Sequence, residues 1–371
     1  MNLPRLAATS LFVLAVTSMA SAQDPNAVYQ QQKSGPFKFT GDTTARYEWT
    51  KDIPGDDGPT DLSRYFLQAR PRVEVTVGPF QAGVGGAFNY SEDQNDVPPP
   101  GEPLTIIRDN YRSRDARLDL AWGKLTFGPV MVEGGRFFMP IPFTEMIWDR
   151  DLRPQGGAAK FSLGKAQSPA RFSLYGIYAT GSHVFEDKSK MYGGAGEISL
   201  GRAGEATLDF TGAYLQFADL NELEAPIRRQ NTRFAGLIVG DYKIVDLVGR
   251  LGRGGQVPMQ LVFDYCWNTA IDTNNHGLWI AAILGQVGVS PAELQYTFAK
   301  VDKDATVAAF STDDFFWGTG WEGHRVDLGV STHKGSSIHG IAQWQRFKDS
   351  PDPVVADTWV KRYRLEWRTQ F

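Results

Sequence analysis

From Phe37 onward the sequence repeatedly alternates apolar and polar residues with a period of two. In the first row Phe37, Phe39, Thr43, Ala45, Tyr47 and Trp49 share one parity, while Lys38, Thr40, Asp42, Thr44, Arg46 and Glu48 share the other. A helix would gather positions three and four apart; strict alternation makes a strand with one apolar and one polar side. The second row sets Tyr65, Leu67, Ala69, Val73, Val75 and Val77 against Arg64, Gln68, Arg70, Arg72, Glu74 and Thr76, with Phe66 out of place. These rows exceed the roughly five or six residues of a soluble strand and reach the roughly ten that a tilted strand needs to cross a bilayer.

Extending the pattern predicts strands near 37–49, 63–77, 80–90, 112–127, 130–139, 157–164, 170–179 and 190–200 in the first half. The second half adds 205–217, 231–248, 257–268, 276–286, 291–300, 321–333, 336–347 and 358–371. Their connections fall into two length classes that take turns. Tight, mostly Gly-rich turns are expected at 78–79, 128–129, 164–169, 201–204, 252–255, 288–291 and 334–336. Longer polar stretches separate them at 50–62, 91–111, 140–156, 180–189, 218–230, 269–275, 301–320 and 348–357. A soluble sandwich or propeller has no reason to sort its loops this way, whereas a transmembrane β-barrel has short turns at one rim, long loops at the other and an even strand number. The expected fold is all-β, an antiparallel barrel of sixteen strands formed by a single domain over 37–371.

Composition excludes competing classes. Against 42 acidic residues stand 38 basic ones, so there is no excess of positive charge for neutralising phosphates, and nucleic acid is not an expected partner. A lone cysteine, Cys266, and five scattered histidines give neither an internal disulfide nor a structural zinc site; no metal and no cofactor are predicted. No apolar run of about 18 residues follows Ala22, so the mature chain has no transmembrane helix. At the start, Arg5, the apolar core 11–16 and the small residues Ala20 and Ala22 form the three parts of a secretory signal, with cleavage expected after Ala22. A short polar tail, 23–36, would then precede the barrel.

The chain ends on a strand in which Trp359, Tyr363, Leu365, Trp367 and Phe371 alternate with Arg362, Arg364, Glu366 and Arg368. An alternating final strand with a C-terminal Phe resembles the sorting signal of bacterial outer-membrane proteins. Two further stretches resemble an outer-membrane porin family related to the general and phosphate-selective diffusion porins of Gram-negative bacteria. One is Gly135 with the following Arg136-Phe137-Phe138-Met139-Pro140-Ile141-Pro142-Phe143, continued by Trp148-Asp149-Arg150-Asp151-Leu152-Arg153-Pro154-Gln155-Gly156. The other is the ordered set Tyr265-Cys266-Trp267-Asn268, Leu294-Gln295-Tyr296, Asp313-Asp314-Phe315 and Gly323-His324. The resemblance implies an outer-membrane location, lipid and lipopolysaccharide as surroundings, a homotrimer, and passive diffusion of small hydrophilic solutes or ions. Phosphate-selective relatives carry an Arg ladder and a Lys cluster; here Lys is scattered.

With apolar residues facing lipid, the inward set includes Arg46, Arg64, Arg70, Arg72, Glu74, Arg117, Asp119, Lys160, Arg171, Glu197, Asp209, Asp264, Arg325, Asp327, Arg362, Arg364, Glu366 and Arg368. Both signs are present, and rings of Arg favour anions while rings of carboxylates favour cations. The segment 140–156, with three prolines and with Glu145, Trp148, Asp149, Arg150, Asp151 and Arg153, is the expected constriction. Glu133 and Arg136 join it only if Gly134-Gly135 makes a bulge that turns both inward. The loop 301–320, with Asp302, Asp304, Asp313 and Asp314, reads as solvated and external; its acidic spacing is not that of an EF-hand.

Two other function classes are weighed. An outer-membrane barrel enzyme, phospholipase-like or protease-like, needs a nucleophile beside a base, and the nearest pairs, Ser182 with His183 and Ser331 with His333, sit in no nucleophile motif. Asp149 and Asp151 in one loop do not straddle a sugar as a glycosidase requires. A non-conducting adhesin remains the structural alternative. Transport is the leading class, with the small stretch Gly83, Gly85, Gly86 and Ala87 either packing flat on a neighbouring copy or marking a bend.

Overall fold

A computed structural model describes residues 35–53, 60–91, 115–164, 168–182, 188–202, 205–223, 231–312, 314–315, 318–348, 356 and 358–371. The expected signal peptide 1–22, nearly all of the tail 23–36, His183 and Asp313 lie outside the described residues. Among the described residues, sixteen strands close into one antiparallel barrel. In its first half these are β1 (Phe37–Ile53), β2 (Thr60–Val77), β3 (Phe80–Ser91), β4 (Asp115–Phe127), β5 (Val130–Arg136), β6 (Pro154–Leu163), β7 (Ala170–Ser182), β8 (Lys190–Leu200) and β9 (Ala206–Ala218). After a separate two-stranded hairpin, β10 (Arg233–Phe234) and β11 (Leu237–Ile238), the wall resumes with β12 (Tyr242–Arg253), β13 (Met259–Asn268), β14 (His276–Gly285) and β15 (Ala292–Val301). It is completed by β16 (Trp321–His333), β17 (Ser336–Phe347) and β18 (Trp359–Gln370), which pairs back onto β1.

The alternation in sequence becomes an inside-out wall. On β13, Leu261 and Phe263 are exposed while Asp264 and Cys266 are fully buried, the reverse of a soluble strand over an apolar core. Phe66, the exception in the second row, is buried, and its ring lies 5.4 Å from the Arg46 guanidinium carbon. It faces inward with the charged parity because it packs on a cation there. The terminal residue seals the seam: Phe371 donates to the Gly41 carbonyl at 3.0 Å and accepts from the Gly41 N–H at 2.8 Å.

Three local expectations are corrected. The strand expected to begin at 231 begins at Tyr242, because Ala235 and Gly236, with φ of 49° and 81°, turn the chain sharply between β10 and β11. The same strand continues through Gly252 to Arg253, so the turn expected at 252–255 follows it instead. β5 stops at Arg136 rather than 139, and Phe137 leaves the wall to become buried at 1% exposure. Opposite the small-residue stretch of β3 the ladder to β4 shifts register between Gly85 and Gly86, the extra residue being Asp119 of β4.

Candidate functional site

Two loops fold into the barrel. The first, between β5 and β6, buries Phe137, Ile141, Met146, Ile147, Trp148 and Leu152. Its rim-to-rim path follows from its polar partners. Arg250 on β12 donates to the Pro142 carbonyl at 2.6 Å and the Phe143 carbonyl at 3.3 Å, and the Thr144 hydroxyl donates to Asp264 on β13. Glu145 takes Arg325 of β16 at 3.3 Å. On the return limb, Asp151 pairs with Arg70 of β2, and Arg153 lies 3.4 Å from Asp119 of β4. In the ring order, β2 and β12 stand eight strands apart in either direction, so the loop spans the bore along a diameter.

The second loop, between β15 and β16, overturns the expectation of a solvated external segment. Ala305, Val307, Ala308, Ala309, Phe310 and Phe315 are buried to 2% exposure or less. An apolar run inside a nominally polar loop was the sequence signal for this. The two loops are joined by backbone hydrogen bonds, Asp149 N–H to the Phe310 carbonyl and Thr312 N–H to the Glu145 carbonyl, each 2.8 Å. Trp148 and Phe310 stack with ring centroids 5.2 Å apart and planes 5° from parallel. The described acidic residues of this loop do not converge. Asp304 accepts from Thr232 and from the Tyr242 hydroxyl at 2.6 Å, and Asp302 pairs with Lys348 at 2.8 Å.

Asp314 works elsewhere, at the centre of a charge network. Its carboxylate lies 3.1 Å from Arg46 on β1, 2.8 Å from Arg364 on β18 and 3.0 Å from Arg150 of the first loop. Its backbone carbonyl accepts from Arg362 at 3.1 Å and Gln343 at 2.9 Å. Around it, Glu48 takes Arg64 at 2.8 Å and also Arg364, and Glu366 takes Arg46 at 2.7 Å. Burial pushes the Asp314 carboxyl up, yet Arg46, Arg364, Arg150 and Arg325 outweigh it and hold the group well below the usual carboxylate range.

The residues expected to line the site are therefore only partly brought together. Glu145, Arg150, Arg325, Arg362 and Arg364 meet around Asp314. Asp149 instead turns onto its own loop, accepting from the Asp151 N–H at 2.8 Å. Arg72 donates to Thr40 at 3.0 Å, Arg117 pairs with Asp115 at 2.7 Å, and Arg171 stands 4.0 Å from Asp209. The ladder of β4 with β5 runs through Gly134 and Gly135 without a shift, so no bulge forms and Glu133 and Arg136 stay on opposite faces. Arg136 binds Gln155 at 2.9 Å and the Leu118 carbonyl. Ser331 and His333 make no pair: the Ser331 hydroxyl donates to the Ser290 carbonyl at 3.1 Å, and the ladder shifts between the two residues.

A closed sixteen-stranded antiparallel barrel with an apolar outer face, a charged interior and a loop across its bore is the architecture of a porin-type outer-membrane barrel. No protein-family model matches the sequence, and no curated protein is similar to it. Solved structures are similar in fold. OprB of Pseudomonas putida, in its high-pH structure, superposes with a TM-score of 0.59 at 12% identity, over 91% of this chain and 94% of that one. OmpF of Salmonella typhi, in its complex with daunomycin, gives 0.53 at 10% identity over 90% and 97%. At these identities the likeness is one of fold, and that fold is the porin barrel.

Proposed function

We propose that the chain is an outer-membrane porin through which small hydrophilic solutes or ions diffuse passively. One observation carries the reading: the first loop crosses the bore along a diameter, held by an ion pair to β2, by hydrogen bonds from Arg250 to its carbonyls on the opposite wall, and by an ion pair to β16. Bore diameter follows from strand number, and the loop subtracts from it. Passive diffusion then needs no chemistry from the protein.

Charge exposure favours anions. Arg150 keeps 51% of its side chain exposed and Arg171 35%, whereas Glu145 keeps 16% and Asp314 7%. The carboxylates of the loop are spent on contacts that leave them little exposed, and the charged group that meets solvent there is the Arg150 guanidinium. Toward β2 and β4 the arginines Arg70, Arg72, Arg117 and Arg153 each stand beside a carboxylate and are less exposed, so the guanidinium that meets solvent most is that of Arg150.

The outward rings of Tyr, Trp and Phe suit the two membrane interfaces and contact with lipid and lipopolysaccharide. A cleaved leader at 1–22 and a homotrimer complete the proposal, both resting on the sequence. Liposome swelling tests the channel: vesicles holding refolded protein should swell in small sugars and amino acids at rates falling with solute size. Swelling no faster than in protein-free vesicles rejects it. A detergent-stable high-mass band that collapses on heating supports the trimer.

A further inference from the structure

A second polar constellation, away from the loops, follows from strand parity alone. Ser337 and His339 are two apart on β17 and share its inward face; Asp327 on β16 pairs with Ile341 and so stands diagonal to His339 on the same face. Their side chains meet in a line. The Ser337 hydroxyl is 2.9 Å from His339 Nε2, and His339 Nδ1 is 2.8 Å from Asp327 Oδ1. Gly329, opposite His339, makes this possible, since a Cβ there would lie 2.6 Å from the imidazole Cε1.

The geometry points to a nucleophilic serine that hydrolyses small carboxylic esters at the inner wall. In the tautomer the proposal uses, His339 Nδ1 donates to Asp327 and Nε2 accepts from the Ser337 hydroxyl. That is the arrangement of a serine, a base and an orienting acid, recognised by geometry and roles rather than by motif. Arg368, the register partner of Ser337, reaches alongside with Nη2 3.7 Å from Asp327 and 27% of its side chain exposed. Its guanidinium is held by Glu366, with Nη2 2.6 Å away, and its exposed part marks the side open to solvent.

Ser337 Oγ attacks the ester carbonyl as its proton passes to His339 Nε2, forming the Oγ–carbon bond. The carbon–alkoxy bond breaks, and the leaving alkoxide takes that proton and departs as an alcohol. Water then attacks the acyl-serine, giving a proton to Nε2, and release of the carboxylic acid returns a proton to Ser337. Ester and water become acid and alcohol, with no oxidant or metal required. Asp327 is a positioning residue.

The test uses folded full-length protein in detergent, treated with a fluorophosphonate and mapped by mass spectrometry, beside hydrolysis of p-nitrophenyl acetate. The expected result is one phosphonyl adduct, on Ser337, and ester hydrolysis lost in Ser337→Ala. His339→Gln should slow both at least 100-fold. Asp327→Asn should lower kcat and displace the pH profile, with Asp327→Glu restoring part of the rate. Ser331→Ala should leave both unchanged. Labelling of the wild type needs no variant to fold. The proposal is overturned by absence of the Ser337 adduct in folded protein, by hydrolysis equal in wild type and Ser337→Ala, or by labelling undiminished in His339→Gln. It goes beyond the diffusion reading, and conductance is a separate readout.

Discussion

Asp314 Oδ1 lies 2.8 Å from Arg364 Nη1, tying the loop that follows β15 to the last strand of the barrel. Both side chains are less than a tenth exposed, so removing one partner strands a buried charge. Asp314→Asn should cost about 3–5 kcal/mol, the range for breaking a buried pair. The check is urea unfolding of the refolded barrel, read as loss of the compact band on unheated gels.

The same group sets a pH response. Its folded pKa is depressed by the arginines around it, so its contribution to stability is fully present above the ordinary carboxylate value near about 4. It is lost only as pH falls through the lower, folded value. Amide exchange of 305–312, corrected for intrinsic rate, should stay protected from neutral pH to about 4.5 and weaken below that. Loss of protection near pH 6 would contradict it.

Arg150 is the exposed member of the network, and its charge should dominate ion choice. Arg150→Glu should move the reversal potential under a salt gradient toward cation preference, with open-channel conductance changed less than selectivity. An unchanged reversal potential would show that selectivity is set elsewhere on the wall.

Trp148 holds the two loops together through Phe310. Trp148→Ala should cost about 3–5 kcal/mol and loosen both loops. Single-channel records should show larger and noisier conductance, because the diametric loop loses its packed neighbour.

Much of the fold was legible because lipid outside and charge inside impose parity on every strand. Arg46, Arg364 and Glu366 were assigned inward by alternation, and the register of β1 with β18 sets Arg46 opposite Glu366 and Glu48 opposite Arg364. The misplaced start of β12 arose because the two short strands of the β10–β11 hairpin read as its beginning, while Ala235 and Gly236 turn the chain between them. Loop direction was less accessible, since it depends on contacts far apart in sequence. The proline-rich 140–156 was expected in the bore, but 301–320 was not, because its four aspartates outweighed the apolar run before Phe310. Asp327 was assigned inward, but its meeting with Ser337 and His339 was missed for a related reason: it lies across a hairpin, where only register brings it diagonal to His339.

The central claim is passive conduction through a charged bore. Single-channel recording of refolded protein in a planar bilayer, under a salt gradient, tests it most directly. The account predicts discrete conductance steps with a reversal potential favouring anions. Bilayers that receive folded barrels and show no steps would contradict it.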